Sequence, residues 1–160
     1  MNFRFIPKAD TPEICSFFAE HWGDTFMVTQ GKTHHLSELS AIVAEEGRQL
    51  AGLVTFTVTP EHCEVVSLDA VVPGQGIGTA LLNQCLSQLL PHSNPIVLFT
   101  TNDNLNALNF YMKRGFRLHR VHHGAVALAR KIKPSIPLLS EQGLPIEDEI
   151  ELRYSGQSLC

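Results

Sequence analysis

Residues 67–82 read SLDAVVPGQGIGTALL, and the rest of the chain is organised around this stretch. Its β-branched first half predicts a strand, and its second half predicts a helix that begins directly after a glycine-rich turn. Gly74, Gly76 and Gly78 leave the backbone N–H groups open to close approach by a ligand. The first N–H groups of a helix lack intrahelical partners and carry partial positive charge. The stretch therefore predicts a phosphate or pyrophosphate site, although turn chemistry alone is an equal alternative.

The length and composition predict one globular domain. The chain has 160 residues, 44% of them hydrophobic and 18% charged, so we expect a single domain over residues 1–160 with a substantial core. A net charge of −4 without a Lys/Arg cluster disfavours nucleic acid or an anionic membrane as a partner. Residues 1–7 contain no apolar run long enough for a signal peptide or a membrane span. A cytoplasmic protein is therefore expected.

The cysteines and histidines do not form a metal-site or disulfide pattern. The four cysteines show no CxxC spacing, and we interpret Cys15, Cys63 and Cys85 as small buried apolar residues. The pairs His34-His35 and His122-His123 lack helical i,i+4 spacing and a carboxylate partner nearby in sequence, which favours surface histidines. No metal is predicted.

Strands and helices alternate along the chain. The predicted strands are 3–6, 41–46, 49–59, 62–71, 96–100, 116–123 and 149–154. The predicted helices are 12–22, capped by Thr11, then 77–90, a helix capped by Asn102 or Asp103 that ends at Gly115, and 125–132. Residues 25–39 are interpreted as a loop with a short helix, 133–148 as an irregular proline-rich connection and 155–160 as a frayed end. Strict alternation in the last strand predicts one solvated face. The order predicts a mixed α/β sheet with a parallel pair flanked by helices.

A second segment indicates a family. Residues 104–116 read NLNALNFYMKRGF, which resembles the second signature of the GNAT N-acetyltransferase superfamily: Asn, an Ala three residues on, an aromatic-Tyr pair and a closing Gly-Phe. The first signature, Q/R-x-x-G-x-G/A, is matched from Gly76 on, with Pro73 in place of the usual Gln or Arg. The resemblance covers residues 41–116 well. It implies a mostly antiparallel sheet with helices on both faces and a central parallel strand pair, splayed by a bulge at the cofactor cleft.

The resemblance also implies a function, namely acetyl transfer from acetyl-CoA to an amine of a small molecule or peptide by direct attack, in a monomer or homodimer. The strand backbone would bind the pantetheine arm and polarise the thioester carbonyl, and the helix N-terminus would bind the pyrophosphate. The implied cofactor-binding residues are Leu68, Ala70, Val71, Gly74, Gln75, Gly76, Ile77, Gly78, Thr79, Ala80, Asn104 and Ala107.

Tyr111 is the candidate acid for the leaving thiolate. It follows Asn104 by two helical turns, so both side chains share a face, and Asn104 could bond the pantetheine while the phenol reaches the sulfur. A phenol with a pKa near 10 can protonate a thiolate whose conjugate acid has a pKa near 8.5. The alternative is a core tyrosine beside an asparagine that only caps the helix.

Asp69 is the candidate base for the attacking ammonium, with Glu64 as a substitute. Alternation places Asp69 on one face of its strand with Ser67, and Glu64 on the opposite face, so only one can face the acceptor. Burial would raise the pKa of Asp69 and improve it as a base. Alternatively, Asp69 accepts N–H bonds from the 73–76 turn and fixes its shape. Trp22 is equally consistent with the acceptor site and with the core.

Two other functions fit parts of the pattern. One is a non-catalytic acyl-CoA-binding module on the same fold, which turnover on a panel of amines would distinguish. The other is a nucleotide-binding α/β domain, which binding of NAD or ATP in place of CoA would reveal. A dinucleotide fingerprint is disfavoured because the third glycine comes one residue early and the strand follows an antiparallel meander.

Overall fold

The computed structural model describes residues 1–156. The strands are β1 (Asn2–Ile6), β2 (Phe26–Thr29), β3 (Lys32–His35), β4 (Ser40–Glu46), β5 (Gln49–Val58), β6 (Cys63–Ala70), β7 (Ile96–Thr101), β8 (Phe116–His122) and β9 (Glu149–Tyr154). The α-helices are α1 (Pro12–Trp22), α2 (Ile77–Leu89), α3 (Leu105–Met112) and α4 (Ala125–Ile132), and 3-10 turns lie at Leu36–Glu38 and Leu90–His92. None of the helices within residues 1–156 is long and apolar enough to cross a membrane.

Seven strands form one sheet in the order β1-β4-β5-β6-β7-β9-β8, and β2 pairs with β3 in a separate hairpin. Neighbouring strands of the sheet are antiparallel except β6 and β7, which are parallel. The predicted fold class, a mixed and mostly antiparallel sheet with one parallel pair and surrounding helices, is confirmed.

The first of two compact units contains residues 1–27 and 34–96. Helix α1 begins where the Ile14 N–H group donates to Thr11 Oγ1 at 3.4 Å, and it ends at Gly23, whose φ is +81°. Its apolar face is buried against β1, β4, β5 and β6, since residues from the helix and from these four strands pack into one cluster. The main members of this cluster are Ile6, Ile14, Phe17, Phe18, Leu36, Leu39, Val43, Leu53 and Val66.

The second unit contains residues 28–33 and, within the described part of the chain, residues 97–156. Its proline-rich connection is held by Arg130, whose guanidinium donates to the carbonyls of Ile136, Pro137 and Ile146 at 2.7 to 3.0 Å. The connection returns the chain to the sheet, where β9 lies between β7 and β8. An irregular segment before a last strand is thereby confirmed. A single domain over residues 1–160 stays a prediction.

The short helix predicted within residues 25–39 is present as the 3-10 turn Leu36–Glu38, but the predicted loop before it was wrong, because β2 and β3 form a hairpin there. Gln30 and Gly31 both have positive φ, +51° and +72°, as a two-residue hairpin turn of the primed type requires. Each strand has only four residues, which is too short for a period-two pattern to stand out from the mixed composition.

The solvated face predicted for β9 was wrong. Glu149 and Glu151 are only 4% and 6% exposed, because β9 is an inner strand and other groups cover its carboxylates. The backbone N–H and Nε2 of Gln30 donate to Glu149 Oε1, at 3.0 and 2.6 Å. Burial alone would raise the pKa of Glu151, but hydrogen bonds with Arg153 at 2.8 Å and His122 at 2.9 Å hold it below the ordinary value.

The cap predicted for α3 was also wrong. The Ala107 N–H group donates to Asn104 Oδ1 at 3.2 Å, so Asn104 is the cap. Asn102 instead accepts the N–H groups of Glu147 and Asp148 and so anchors the proline-rich connection. Asp103 accepts from the Thr101 hydroxyl at 2.6 Å.

The predicted frayed end is contradicted at its first residue. The Ser155 N–H group donates to the Gly115 carbonyl at 2.8 Å. Residues 157–160, including Cys160, lie outside the described part of the chain. Cys63 and Cys85 are buried as predicted, whereas Cys15 is only half-buried.

Gly52 on β5 is required for packing at the start of α2. A Cβ atom at this position would lie 2.8 Å from both the Asp69 carbonyl oxygen and Leu81 Cδ1, and 3.0 Å from Ile77 Cγ2. The Asp69 carbonyl belongs to the backbone and cannot yield without moving β6. Only glycine therefore allows α2 to lie this close to β5.

We expect Gly52→Val to lower the free energy of unfolding by about 1–3 kcal/mol, the usual cost of overpacking. Urea denaturation followed by circular dichroism measures this change. Val58→Ile, at an exposed position of the same strand, is the matched control and should leave stability within about 0.5 kcal/mol. Equal midpoints for the two variants would show that the helix can move away from β5 at no cost.

Candidate active site

The glycine turn is exposed and has space above it. The Val71 N–H group donates to the Ala51 carbonyl at 2.9 Å, and the chain then leaves the sheet. Gly74 and Gly76 have φ values of +82° and +78°, in the left-handed region that favours glycine. A Cβ atom built on either residue would meet nothing within 4 Å. The turn therefore needs glycine for its backbone conformation and leaves room for a ligand.

Helix α2 begins at this turn. Gly76 is its N-cap and provides no side chain, and the first intrahelical bond runs from the Ala80 N–H group to the Gly76 carbonyl at 3.0 Å. The N–H groups of Ile77 and Gly78 precede that bond, so helix geometry gives them no carbonyl partner within α2. Buried apolar residues along the helix fix its direction, namely Ile77, Leu81, Leu82, Cys85, Leu86 and Leu89. The predicted cofactor-binding residues 74–80 thus lie together at the exposed N-terminal end of α2.

Strand β6 contains a β-bulge that changes which side chains share a face. Ser67 pairs with Thr55 and Val65 pairs with Phe56, so Val66 is the extra residue. Asp69 and Glu64 pair with Leu53 and Thr57, which are four residues apart on β5 and therefore on one face. The prediction that Asp69 and Glu64 face opposite sides was wrong, since it assumed unbroken alternation.

The shared face of β6 carries three polar side chains, Glu64, Ser67 and Asp69, which we call the polar row. Asp69 Oδ2 accepts a hydrogen bond from Trp22 Nε1 at 2.9 Å. Burial raises the pKa of Asp69 above its ordinary value of 3.8, although the Trp22 bond and the nearby His21 lower it in part. Within residues 1–156 the carboxylate bonds Trp22 and not the 73–76 turn, so the loop-shaping alternative for Asp69 is not seen.

The second oxygen of Asp69 reaches accessible space. Every fully buried side-chain nitrogen or oxygen within residues 1–156 has a hydrogen-bond partner. Within these residues, the Asp69 carboxylate accepts its hydrogen bond at Oδ2, from the Trp22 indole N–H group. Oδ1 is therefore not fully buried, and Asp69 is half-buried as a residue. A carboxylate with one fixed and one accessible oxygen can accept a proton from a bound molecule.

Glu64 at the other end of the polar row is 3% exposed and lies between two histidines. Its Oε2 is 3.5 Å from His34 Nε2, and its Oε1 is 3.5 Å from His62 Nε2. His34 is itself only 4% exposed, so its prediction as a surface residue was wrong. Ser67, between the two carboxylates, shares a 2.5 Å hydrogen bond with Thr55. No group of three His, Cys, Asp or Glu residues within 1–156 is arranged to hold a metal ion.

Three further predicted site residues lie on or beside α3. Asn104 is exposed and caps the helix by accepting the Ala107 N–H group. A capping role was one of the two alternatives predicted for Asn104. The half-buried Tyr111 ring packs edge-on against Phe110 and Phe116, with centroid distances of 5.2 and 5.5 Å. This packing fixes the ring orientation. The assignments of pantetheine binding to Asn104 and of proton donation to Tyr111 stay predictions.

Several residues of the site were not found from the sequence. Gly52 resembles an ordinary strand glycine, and only the proximity of α2 shows its role. His34 and His62 contact Glu64 across two different elements, so no local spacing connects them. Trp22 was considered for the acceptor site and for the core, but its bond to Asp69 was not predicted, because the two residues lie 47 positions apart.

Solved structures of acetyltransferases have the same fold. The IAA acetyltransferase from Bacillus cereus aligns with a TM-score of 0.71 at 21% identity, covering 96% of this chain and 97% of that one. A GNAT family acetyltransferase from Elizabethkingia anophelis with acetyl-CoA bound gives 0.67 at 20% identity, covering 96% and 98%. A Bacillus subtilis acetyltransferase in complex with CoA gives 0.67 at 17% identity, covering 98% and 100%.

Sequence comparison identifies the family. The Acetyltransferase (GNAT) family model matches residues 10–116, about two thirds of the chain. The uncharacterized protein YxbD of Bacillus subtilis is 41% identical over 153 residues, which cover 93% of this chain and 96% of the relative. The glycine turn that opens α2 and the α3 segment both lie within the matched region. The chain therefore belongs to the GNAT family of acetyltransferases.

Proposed function

We propose that the protein is an acetyl-CoA-dependent N-acetyltransferase that acetylates an amine of a small molecule or peptide by direct attack. One observation carries this proposal: β6 leads from a half-buried carboxylate with an accessible oxygen, Asp69, directly into the open helix end of the glycine turn. A binding site for a diphosphate and a base for an amine thus lie on one continuous segment. The acetyl-CoA and CoA present in two structures of similar fold agree with this donor.

The donor would be bound mainly by backbone groups. The N–H groups at the start of α2, foremost those of Ile77 and Gly78, would bind the pyrophosphate at the helix end, where the macrodipole favours negative charge. The backbone of residues 68–71 would bind the pantetheine arm and polarise the thioester carbonyl. Asn104 and Ala107 are assigned to the same arm on the family resemblance.

The acceptor would be activated by Asp69. Its accessible oxygen takes a proton from the acceptor ammonium, and the neutral amine attacks the thioester carbonyl to form the C–N bond. The tetrahedral oxyanion then collapses, the C–S bond breaks, and Tyr111 gives a proton to the leaving thiolate. The attacking nitrogen gives up its extra proton to the Tyr111 phenolate, directly or through water, and Asp69 releases its proton to solvent, so both groups return to their starting state. Asp69 is preferred to its substitute Glu64 because both oxygens of Glu64 already face histidines in the buried interior.

Binding selectivity tests the donor assignment. Isothermal titration of the purified protein should give a lower Kd for CoA than for NAD or ATP, because only CoA combines a diphosphate with a pantetheine arm. Acetyl-CoA turnover on a panel of amines then distinguishes an enzyme from a non-catalytic acyl-CoA-binding module. Tighter binding of NAD or ATP would contradict the proposal.

Substituting the N-cap of α2 tests the pyrophosphate site. We expect Gly76→Val to raise the Kd for CoA by about tenfold or more, or about 1.4 kcal/mol, because the side chain strains the turn and covers its donors. Gly124→Val is the matched control, since Gly124 is the N-cap of α4 with φ +76° and equally open space. An equal Kd for both variants would show that the pyrophosphate does not bind at this turn.

A further inference from the structure

We propose that Trp22 is a positioning residue that fixes Asp69 so that its accessible oxygen receives the ammonium group of a cationic, non-acidic amine. This inference rests on the proposed function and names the class of acceptor for the same site. It assigns to Trp22, at the end of α1, the orientation of this carboxylate toward the acceptor.

The indole is held firmly where α1 ends. Trp22 is the last residue of the helix, and Gly23 turns the chain away in the left-handed region. Its ring packs against the fully buried Phe18 with a centroid distance of 6.3 Å, and it borders the core cluster of the first unit. An indole N–H group is a donor only, so it can bind a carboxylate oxygen but cannot take the proton. Trp22 therefore orients Asp69 without competing with it as a base.

The surroundings of Asp69 lack a fixed cation. The titratable group near its carboxylate is His21 on α1, and its neighbour on β5 is the apolar Leu53. On its own strand and face, Glu64 is already placed between His34 and His62. Within residues 1–156, no Lys or Arg forms an ion pair with Asp69. A partly buried carboxylate without a cation is costly, and a bound ammonium would supply the missing charge.

The charge of the unit explains why an acidic acceptor is disfavoured. Residues 1–27 and 34–96 contain ten Asp and Glu but only three Lys and Arg, namely Arg4, Lys8 and Arg48. None of these three cations pairs with Asp69, and Arg4 pairs with Glu45 instead. An acceptor with a carboxylate next to its amine would meet repulsion here and no compensating cation. The half-buried indole offers an apolar contact for the remainder of a simple alkylamine.

The single tryptophan of the chain makes this pair directly observable. The emission of Trp22 should change as Asp69 ionises, at a pH above 3.8, and this transition should be absent in Asp69→Asn. Hexylamine hydrochloride at neutral pH should change the emission in a saturable manner, whereas hexan-1-ol and hexanoate should not. Loss of the hexylamine response in Asp69→Asn completes the expected result. An absent response, or one shared by the alcohol or the carboxylate, overturns the inference.

A kinetic variant distinguishes positioning from a purely structural role. In Trp22→Phe the bond that lowers the pKa of Asp69 is lost, so the acidic limb of kcat/KM for acetyl transfer should move to higher pH. We also expect kcat/KM on the plateau to fall roughly tenfold, the value of one well-placed hydrogen bond. An unmoved limb in a folded Trp22→Phe enzyme overturns the inference while the proposed function stands. A hexylamine response without any acetyl transfer would overturn the proposed function, while the placement of an ammonium group at Asp69 would stand. The emission titration needs no variant of Trp22.

Discussion

Tyr111→Phe is expected to lower turnover by about two to four orders of magnitude, the usual contribution of a positioned general acid. The Kd for CoA and the thermal midpoint should stay near the wild-type values, because the ring still packs against Phe110 and Phe116. The substitution removes the proposed proton donor to the leaving thiolate. Thiol release from acetyl-CoA with an accepted amine measures turnover, and calorimetric titration measures CoA affinity.

Tyr154→Phe is the matched control for this experiment. Tyr154 is the other tyrosine of the chain, and its ring also packs on Phe116, with a centroid distance of 5.3 Å. It lies on β9 and has no role in the proposed chemistry, so its loss should leave turnover unchanged. Full activity in Tyr111→Phe would show that Tyr111 is a core aromatic and that water supplies the proton.

Asp69→Asn should lower kcat/KM for acetyl transfer by roughly two to four orders of magnitude, because an amide cannot take the proton of the ammonium. The Trp22 bond can persist to the amide oxygen, so the geometry is kept. The folded-state pKa of Asp69 lies above its ordinary 3.8, so the folded protein keeps this proton to a higher pH than the unfolded chain does. Ionisation of Asp69 therefore costs stability as the pH rises above 3.8, and the variant should be at least as stable as the wild type at neutral pH.

Glu64→Gln is the control on the same face of the same strand. Glu64 is enclosed by His34 and His62, so its replacement should lower the thermal midpoint and leave the acidic limb of kcat/KM in place. The pair of pH profiles assigns the base. If Asp69→Asn keeps both the limb and the maximal rate while Glu64→Gln loses them, the base is Glu64 and the assignment to Asp69 is wrong.

Local sequence patterns were sufficient for most of the fold. The β-branched run, the glycine turn and the amphipathic residues after it predict β6, the turn and α2, because each signal lies within a few residues. Thr11 with Pro12 gave the start of α1 in the same way. The β2–β3 hairpin was not predicted, because its turn places Gln30 at positive φ. Non-glycine residues adopt this conformation rarely, so the sequence does not indicate a turn there.

The site was predicted less completely because its decisive features depend on pairing between distant segments. The bulge at Val66 exists only relative to β5, and it moves Glu64 to the face of Asp69. The alternating pattern predicts the strand β9 but does not indicate which groups cover its polar face. The burial of Glu149 beneath the Gln30 turn could therefore not be predicted. The bond from Trp22 to Asp69 depends equally on how α1 packs across the sheet.

Acetyl transfer itself is the most direct test of the proposed activity. The protein is incubated with acetyl-CoA and a pooled set of primary amines rich in simple alkylamines, and mass spectrometry measures free CoA and N-acetylated products. We expect equal amounts of CoA and acetylated amine, formed at a constant initial rate by the wild type and at a rate at least about a hundredfold lower by Tyr111→Phe. Acetyl-CoA that is bound by the protein but stays intact with every amine would contradict an enzymatic role and leave a non-catalytic acyl-CoA-binding module.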